Sequence, residues 1–170
     1  MHPFISTMAN MLIIFGLVTY ATKGVSFGAI DPAIPNIFIP KAGRFPMIIL
    51  WAIIAVVVVW FIWNKTTFGK NLYAVGGNPE ASTVSGISVF KVTMGAFIMA
   101  GILYGFGSWL ECLRMVGSGS AAYGQGWDMD AIAACVVGGV SFTGGIGKIS
   151  GVVTGVLIFT SLTYSLTILG

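Results

Sequence analysis

The amino-acid sequence predicts an all-α fold, a polytopic transmembrane bundle of about four spanning helices. Three observations carry that prediction. Of the 170 residues, 56% are hydrophobic and only 8% are charged, where soluble domains average about 25% charged. Counting Gly and leaving out Tyr, roughly two-thirds of the chain is apolar, against about 45–50% in ordinary globular proteins. A soluble fold of this size exposes too much of its surface to hide that excess. Second, four uncharged stretches are each long enough to cross a hydrocarbon core, which takes about 17–25 apolar residues. Third, the charged residues fall between those stretches, as loop charges of membrane proteins do. A soluble enzyme, a disordered segment and a disulfide scaffold are thereby excluded.

The spans follow in order. Residues 3–21 carry no charge. Residues 46–63 form the strongest stretch, a run of Ile, Val, Ala and Trp between Arg44 and Lys65. Residues 92–110 are apolar but rich in small residues, and residues 152–169 are apolar with scattered Thr and Ser. Backbone groups have no water to bond in the hydrocarbon, so each stretch reads as a helix. Between the first two, Gly24–Pro40 contains Pro32, Pro35 and Pro40 and is expected to be an irregular loop.

A fifth stretch, residues 131–147, is broken. Its apolar part, Ala131–Phe142, is too short to span, Gly138 and Gly139 interrupt it, and Gly144-Gly145-Ile146-Gly147 follows. An apolar segment of this length suits a buried or re-entrant piece. Irregular backbone at membrane depth is tolerated inside protein or beside a watery cavity. Gly138, Gly139, Ser141, Gly144, Gly145 and Gly147 are therefore candidates to line a pathway. A short glycine-capped helix at the membrane surface fits the same residues. Asp128 and Asp130 precede the segment and are expected to cap it.

Residues 64–91 form the loop between the second and third spans. Gly76-Gly77 reads as a turn, Asn78 as an N-cap, and Pro79 as the first helical residue, where its missing N–H costs nothing. Glu80 in the first turn suits the positive end of the helix dipole, and Gly86 is a plausible stop. A two-turn helix over about residues 79–85 should therefore stand outside the bilayer. The residues alone give it no task beyond that of a surface turn.

Small residues recur on two spans. Gly101 and Gly105 make Gly-x-x-x-Gly on the third, and Gly151 and Gly155 repeat it on the fourth, a spacing that lets backbones approach closely. Glu111 and Arg114 stand three residues apart, so they can pair if the third helix continues. Three basic residues in each of the first two loops leave the sidedness undecided. The scattered basic residues form no nucleic-acid footprint, and Cys112 and Cys135 show no pairing pattern.

Other chemistries fail on residues. Ser141 in its glycine-rich surroundings suggests an intramembrane hydrolase, but a nucleophile needs an adjacent base, and the single histidine is His2. No phosphate-binding loop is present, since Gly147-Lys148 is followed by Ile149 and Phe142 stands where the first glycine is required. One histidine and two cysteines make no metal site with ligand spacing. No catalytic residue is assigned.

Two segments resemble a known family. Phe68–Ala81 with Ser85-Gly86-Ile87, and Asp130–Gly147, are similar to signatures of the ribose/galactose-type sugar permeases of ABC importers. Glu80-Ala81-Ser82-Thr83-Val84-Ser85-Gly86 resembles the Glu-Ala-Ala-x-x-x-Gly loop of ABC permeases, with Ser82 in place of the second Ala. Asn64-Lys65-Thr66, Gly107–Glu111 and Ala134–Val137 bring the chain nearest to the galactose/methyl-galactoside branch. The resemblance implies that Asn78, Pro79, Glu80, Ala81, Ser82 and Gly86 form a cytoplasmic coupling helix that docks on an ATP-binding cassette subunit. It also implies that ATP is hydrolysed by that partner, with no cofactor on this chain. The other implied partners are a periplasmic or lipid-anchored sugar-binding protein, a second permease copy and the lipid of a bacterial cytoplasmic (inner) membrane. Family subunits are about twice as long, so the chain is expected to be an internal fragment of one transmembrane domain. Carriers without ATP and permeases for ribose, xylose or branched-chain amino acids stay open as alternatives. Trp109, Tyr104, Tyr123, Gln125 and Trp127 are available to hold a sugar, or to anchor at the membrane interface.

Overall fold

The computed structural model describes residues 3–26, 31, 33–38, 41–42, 45–115, 119–120 and 122–169. Eight helices appear among them: α1 Pro3–Thr22, α2 Ala33–Phe38, α3 Ile48–Lys65, α4 Thr67–Gly77, α5 Pro79–Val84, α6 Val89–Arg114, α7 Trp127–Val137 and α8 Ile149–Leu169. Two-residue strands, β1 Lys41–Ala42 and β2 Phe45–Pro46, pair antiparallel with Lys41 opposite Pro46. The fold is the all-α membrane type that the sequence predicts.

Four helices are long and apolar enough to cross a membrane, over Ile5–Thr22, Ile48–Lys65, Val89–Arg114 and Ile149–Leu169. They are apolar all round, which suits a helix solvated by lipid. Their large side chains are mostly exposed, as at Leu17, Val57, Ile102 and Leu157. The chain divides into two compact units, Met1–Ile48 with Gly105–Gln125, and Ile49–Tyr104 with Gly126–Gly170.

In the first unit, the expected irregular loop over Gly24–Pro40 contains α2. The Ile34 N–H donates to Asp31 O at 3.0 Å and starts the turn. Pro35 lies in the first turn of α2, where the backbone N–H has no helical partner to lose. Pro32, Pro40 and Arg44 lie outside the described residues. Phe38 meets Trp109 edge-on with ring centroids 5.0 Å apart, and Trp109 also stacks at a tilt beside Phe106.

The end of α6 in this unit carries the expected pair. Arg114 Nε donates to both Glu111 carboxylate oxygens at 2.9 and 3.0 Å. The Tyr123 hydroxyl donates to Glu111 Oε1 at 2.6 Å and accepts from Arg114 at 3.1 Å, closing a three-residue cluster. The bond to the Glu111 carboxylate holds the Tyr123 phenol above its ordinary value. The charge-free stretch Val92–Leu110 between Lys91 and this cluster is about 28 Å long at 1.5 Å per residue, close to the hydrocarbon thickness.

In the second unit, α7 packs against the first half of α8. Three glycines make that possible. A side chain at Gly155 would run into Ala134 O and Gly138 N, and one at Gly138 into Gly151 O. Ala134 is buried in the same seam. Asp128 and Asp130 lie in the first turn of α7 rather than at its cap. The cap is Gly126, whose φ of 88° is left-handed, so the acidic side chains act on the helix dipole instead.

Candidate coupling site

Between α3 and α6 the structure holds two helices where the sequence predicts one. Thr66 starts α4, its hydroxyl accepting from Gly69 N–H and donating to Ile62 O at 2.7 Å. Gly69 lies so close to the Trp63 carbonyl that no side chain fits, which folds α4 back against the end of α3. Phe68 then fits edge-on to Trp63 and over Gly95 of α6. The signal for α4 is the apolar spacing of Phe68, Leu72 and Val75, one helical face at i, i+4 and i+7. Three glycines in eleven residues mask it. Gly76 and Gly77 therefore end a helix, where a free turn was expected.

Asn78 serves both helices. Its N–H caps α4 at Ala74 O, and its side-chain oxygen accepts from Ala81 N–H at 3.0 Å to start α5. Pro79 takes the first position and Glu80 the first turn. At the far end Ser85 is the cap, Gly86 takes φ 80°, and Ile87 N–H reaches back to Ser82 O at 2.9 Å. Gly86 N–H donates to Thr83 O in the same closure, a Schellman end that requires the left-handed glycine. The helix stops at Val84, one residue short of the expected end.

The six residues singled out on this helix differ in exposure. Asn78, Pro79, Glu80, Ala81 and Gly86 are exposed. Ser82 is buried, and its hydroxyl donates to Asn78 O at 2.8 Å. The hydroxyl that distinguishes it from Ala is thus satisfied inside the helix. Val84 is 90% exposed, an apolar side chain that no local signal in the sequence marks out.

The broken segment reaches the same place. After α7, Gly139 turns left-handed at φ 81°, Val140 N–H returns to Cys135 O, and Ser141 N–H bonds Ile146 O at 3.0 Å. This closes a tight loop whose tip, Gly144-Gly145, sits against Gly76-Gly77. A methyl group on Gly76 would lie 2.6 Å from Gly145 N, and one on Gly144 would lie 2.7 Å from Gly76 O. The Tyr73 hydroxyl donates to Gly147 O at 2.9 Å and fixes the loop to the side of α4. Of the six candidates over 138–147, Gly138 seats α7 on α8, Gly144 and Gly145 meet α4, and Gly147 accepts from Tyr73. The Ser141 hydroxyl pairs with that of Thr143 at 2.7 Å, and His2 lies outside the described residues.

Two cavities flank the loop. One, of about 500 Å³, lies among Trp63, Tyr73, Ser141 and Val152. The other, of about 650 Å³, is walled by Tyr104, Trp127, Asp128 and Ser141. The sugar-holding candidates are thus divided. Tyr104 and Trp127 share a cavity, while Trp109 packs on Phe38 and Tyr123 belongs to the charged cluster.

Four helices able to span a membrane, a short capped helix between the second and third of them, and a broken helix folded back on the end of α4 make up the arrangement. Residues 1–170 match, along their whole length, the family described as branched-chain amino acid transport system / permease component. The chain belongs to that family. It is 55% identical to the galactose/methyl galactoside import permease protein of Treponema pallidum (strain Nichols), over 99% of this chain and 33% of that protein. It is 45% identical to the protein of the same name from Escherichia coli (strain K12), over 99% of this chain and 52% of the other. The ribose import permease protein of Bacillus subtilis (strain 168) is 35% identical over 100% of this chain and 53% of its own length. The chain thus spans about a third to a half of these curated relatives. No solved structure matches it. These relatives are bacterial, and a helical permease, unlike a β-barrel, resides in the cytoplasmic (inner) membrane.

Proposed function

We propose that the chain forms part of the translocation path of an ATP-driven monosaccharide importer, with galactose or methyl galactoside as substrate, and has no enzymatic activity of its own. The observation that carries this reading is α5. It is an exposed helix with defined caps at both ends, held between two spans and presenting Glu80 and Val84 outward. Such a helix suits docking into a groove on an ATPase subunit, with Glu80 as the polar contact and Val84 as the apolar one. Asn78, Pro79, Ala81 and Gly86 set its caps and orientation, and Ser82 holds it from inside. In this reading ATP is hydrolysed by the partner, a second permease copy completes the path, and a sugar-binding protein delivers substrate on the opposite face. The glycine-broken segment over 138–147 then borders the path, beside the cavity that holds Tyr104 and Trp127. Galactose is favoured over ribose by the higher identity of the relatives so named.

The test is Glu80→Ala with Val84→Asp in the assembled importer, reconstituted in vesicles. Galactose uptake is expected to fall about tenfold, since buried interface contacts carry about 1–2 kcal/mol each, while membrane insertion is retained. Protease or labelling access to residue 80 from the extracytoplasmic side, or uptake that persists without an ATPase, would overturn the reading.

A further inference from the structure

The two glycine pairs that meet beneath α5 have no local structural need to be in contact. Gly76-Gly77 could end α4 in open solvent, and the 141–146 loop is already closed by its own hydrogen bonds. Yet backbone touches backbone at Gly76 and Gly144, and again at Gly145 and Gly77. Tyr73 adds a hydrogen bond across a sequence separation of 74 residues. On the far side of the loop, Gly138 abuts Gly151 and Gly155 abuts Ala134. A continuous line of backbone contact therefore runs from the base of α5, through the 144–147 loop, into the α7–α8 seam.

The composition of that line matters physically. A contact between side chains can absorb displacement by rotating a torsion. A contact between glycine backbones has no side-chain torsion to turn, so a shift on one side must appear on the other or break the contact. Packed elements of this kind switch between discrete arrangements rather than deform. Only one residue, Asn78, separates Gly77 from the first residue of α5.

We infer that Tyr73, Gly76 and Gly144 are positioning residues that form the mechanical joint between α5 and the α7–α8 pair. Displacement of α5 by its partner reaches the broken segment through them. This rests on the functional proposal above and adds the route that the motion takes inside the chain.

Gly76 and Gly77 supply a matched test. A methyl group on Gly76 meets Gly145, while one on Gly77 meets nothing within 4 Å. Each is replaced by Ala in the assembled importer in vesicles, and galactose uptake and ATP hydrolysis are measured together. Gly76→Ala is expected to lower sugar moved per ATP about tenfold, the scale of a backbone-level packing clash, with hydrolysis near the unsubstituted rate. Gly77→Ala should leave the ratio unchanged. Equal ratios in the two variants, or a parallel fall in uptake and hydrolysis, would overturn the joint. Should Gly76→Ala fail to assemble, Tyr73→Phe decides: it removes only the hydrogen bond to Gly147, and a ratio lowered several-fold supports the joint while an unchanged ratio removes it. An unsubstituted importer that moves no galactose with ATP overturns the functional proposal and the joint with it. An active one with equal variants overturns the joint alone.

Discussion

Helices α6 and α8 carry the same spelling, Gly-x-x-x-Gly, with opposite outcomes. On α8, Gly151 and Gly155 are filled by the backbone of α7, and Gly155 is buried. On α6, no described atom lies within 4 Å of the place a methyl group would occupy at Gly101 or Gly105. The difference lies in what the chain brings alongside. The short helix α7 is followed by a glycine turn that returns at once to α8, so its own small residues, Ala134 and Gly138, face the stripe. No such returning segment follows α6 among the described residues; its end goes into the Glu111–Arg114–Tyr123 cluster. A small-residue stripe gives permission for close approach, and connectivity decides whether it is used.

The strongest attack on that contrast is to fill the occupied stripe. Gly155→Leu should unseat α7, costing on the order of 1–3 kcal/mol or more as overpacking against backbone, read as a large drop in thermal midpoint and loss of uptake. Gly101→Ala on the open stripe should do the reverse. Removing a mid-helix glycine gains up to about 1 kcal/mol, so the midpoint should hold or rise. A fall as large as that of Gly155→Leu would mean that α6 is covered in the assembled permease. Smaller effects sharpen the same comparison at the helix ends. Asn78→Ala removes the cap shared by α4 and α5 and should cost about 1 kcal/mol, seen as faster amide exchange over 79–84. Glu111→Gln weakens a partly exposed cluster and should cost only about a few tenths of a kcal/mol, detectable as freer motion of a spin label at Gln125. Ser82→Ala, which loses a hydroxyl already bonded within its own helix, should leave uptake unchanged.

Particular residues explain how much is legible in advance. Asn78, Pro79 and Gly86 announce α5 because caps are local: each acts within four residues of itself. Glu111 and Arg114 are legible for the same reason, whereas Tyr123, which completes their cluster, is not. Helix α4 is masked by Gly69, Gly76 and Gly77, residues that ordinarily interrupt helices. Gly69 and Gly76 answer a need for close approach, to Trp63 and to Gly145, that no local rule contains.

Composition and span length by themselves determined a multi-span helical membrane protein, and local capping chemistry determined the short helix between its second and third spans. Those properties depend on transfer from water and on hydrogen bonds between near neighbours, both of which are written along the chain. Tertiary structure alone decided that the glycine loop at 144–147 rests on the end of α4, that Tyr73 reaches Gly147, and that, among the described residues, the small-residue stripe of α8 rather than that of α6 is filled. Those outcomes are contacts between segments up to 74 residues apart, and glycine, which has no side chain to mark its partner, leaves them unwritten in one dimension.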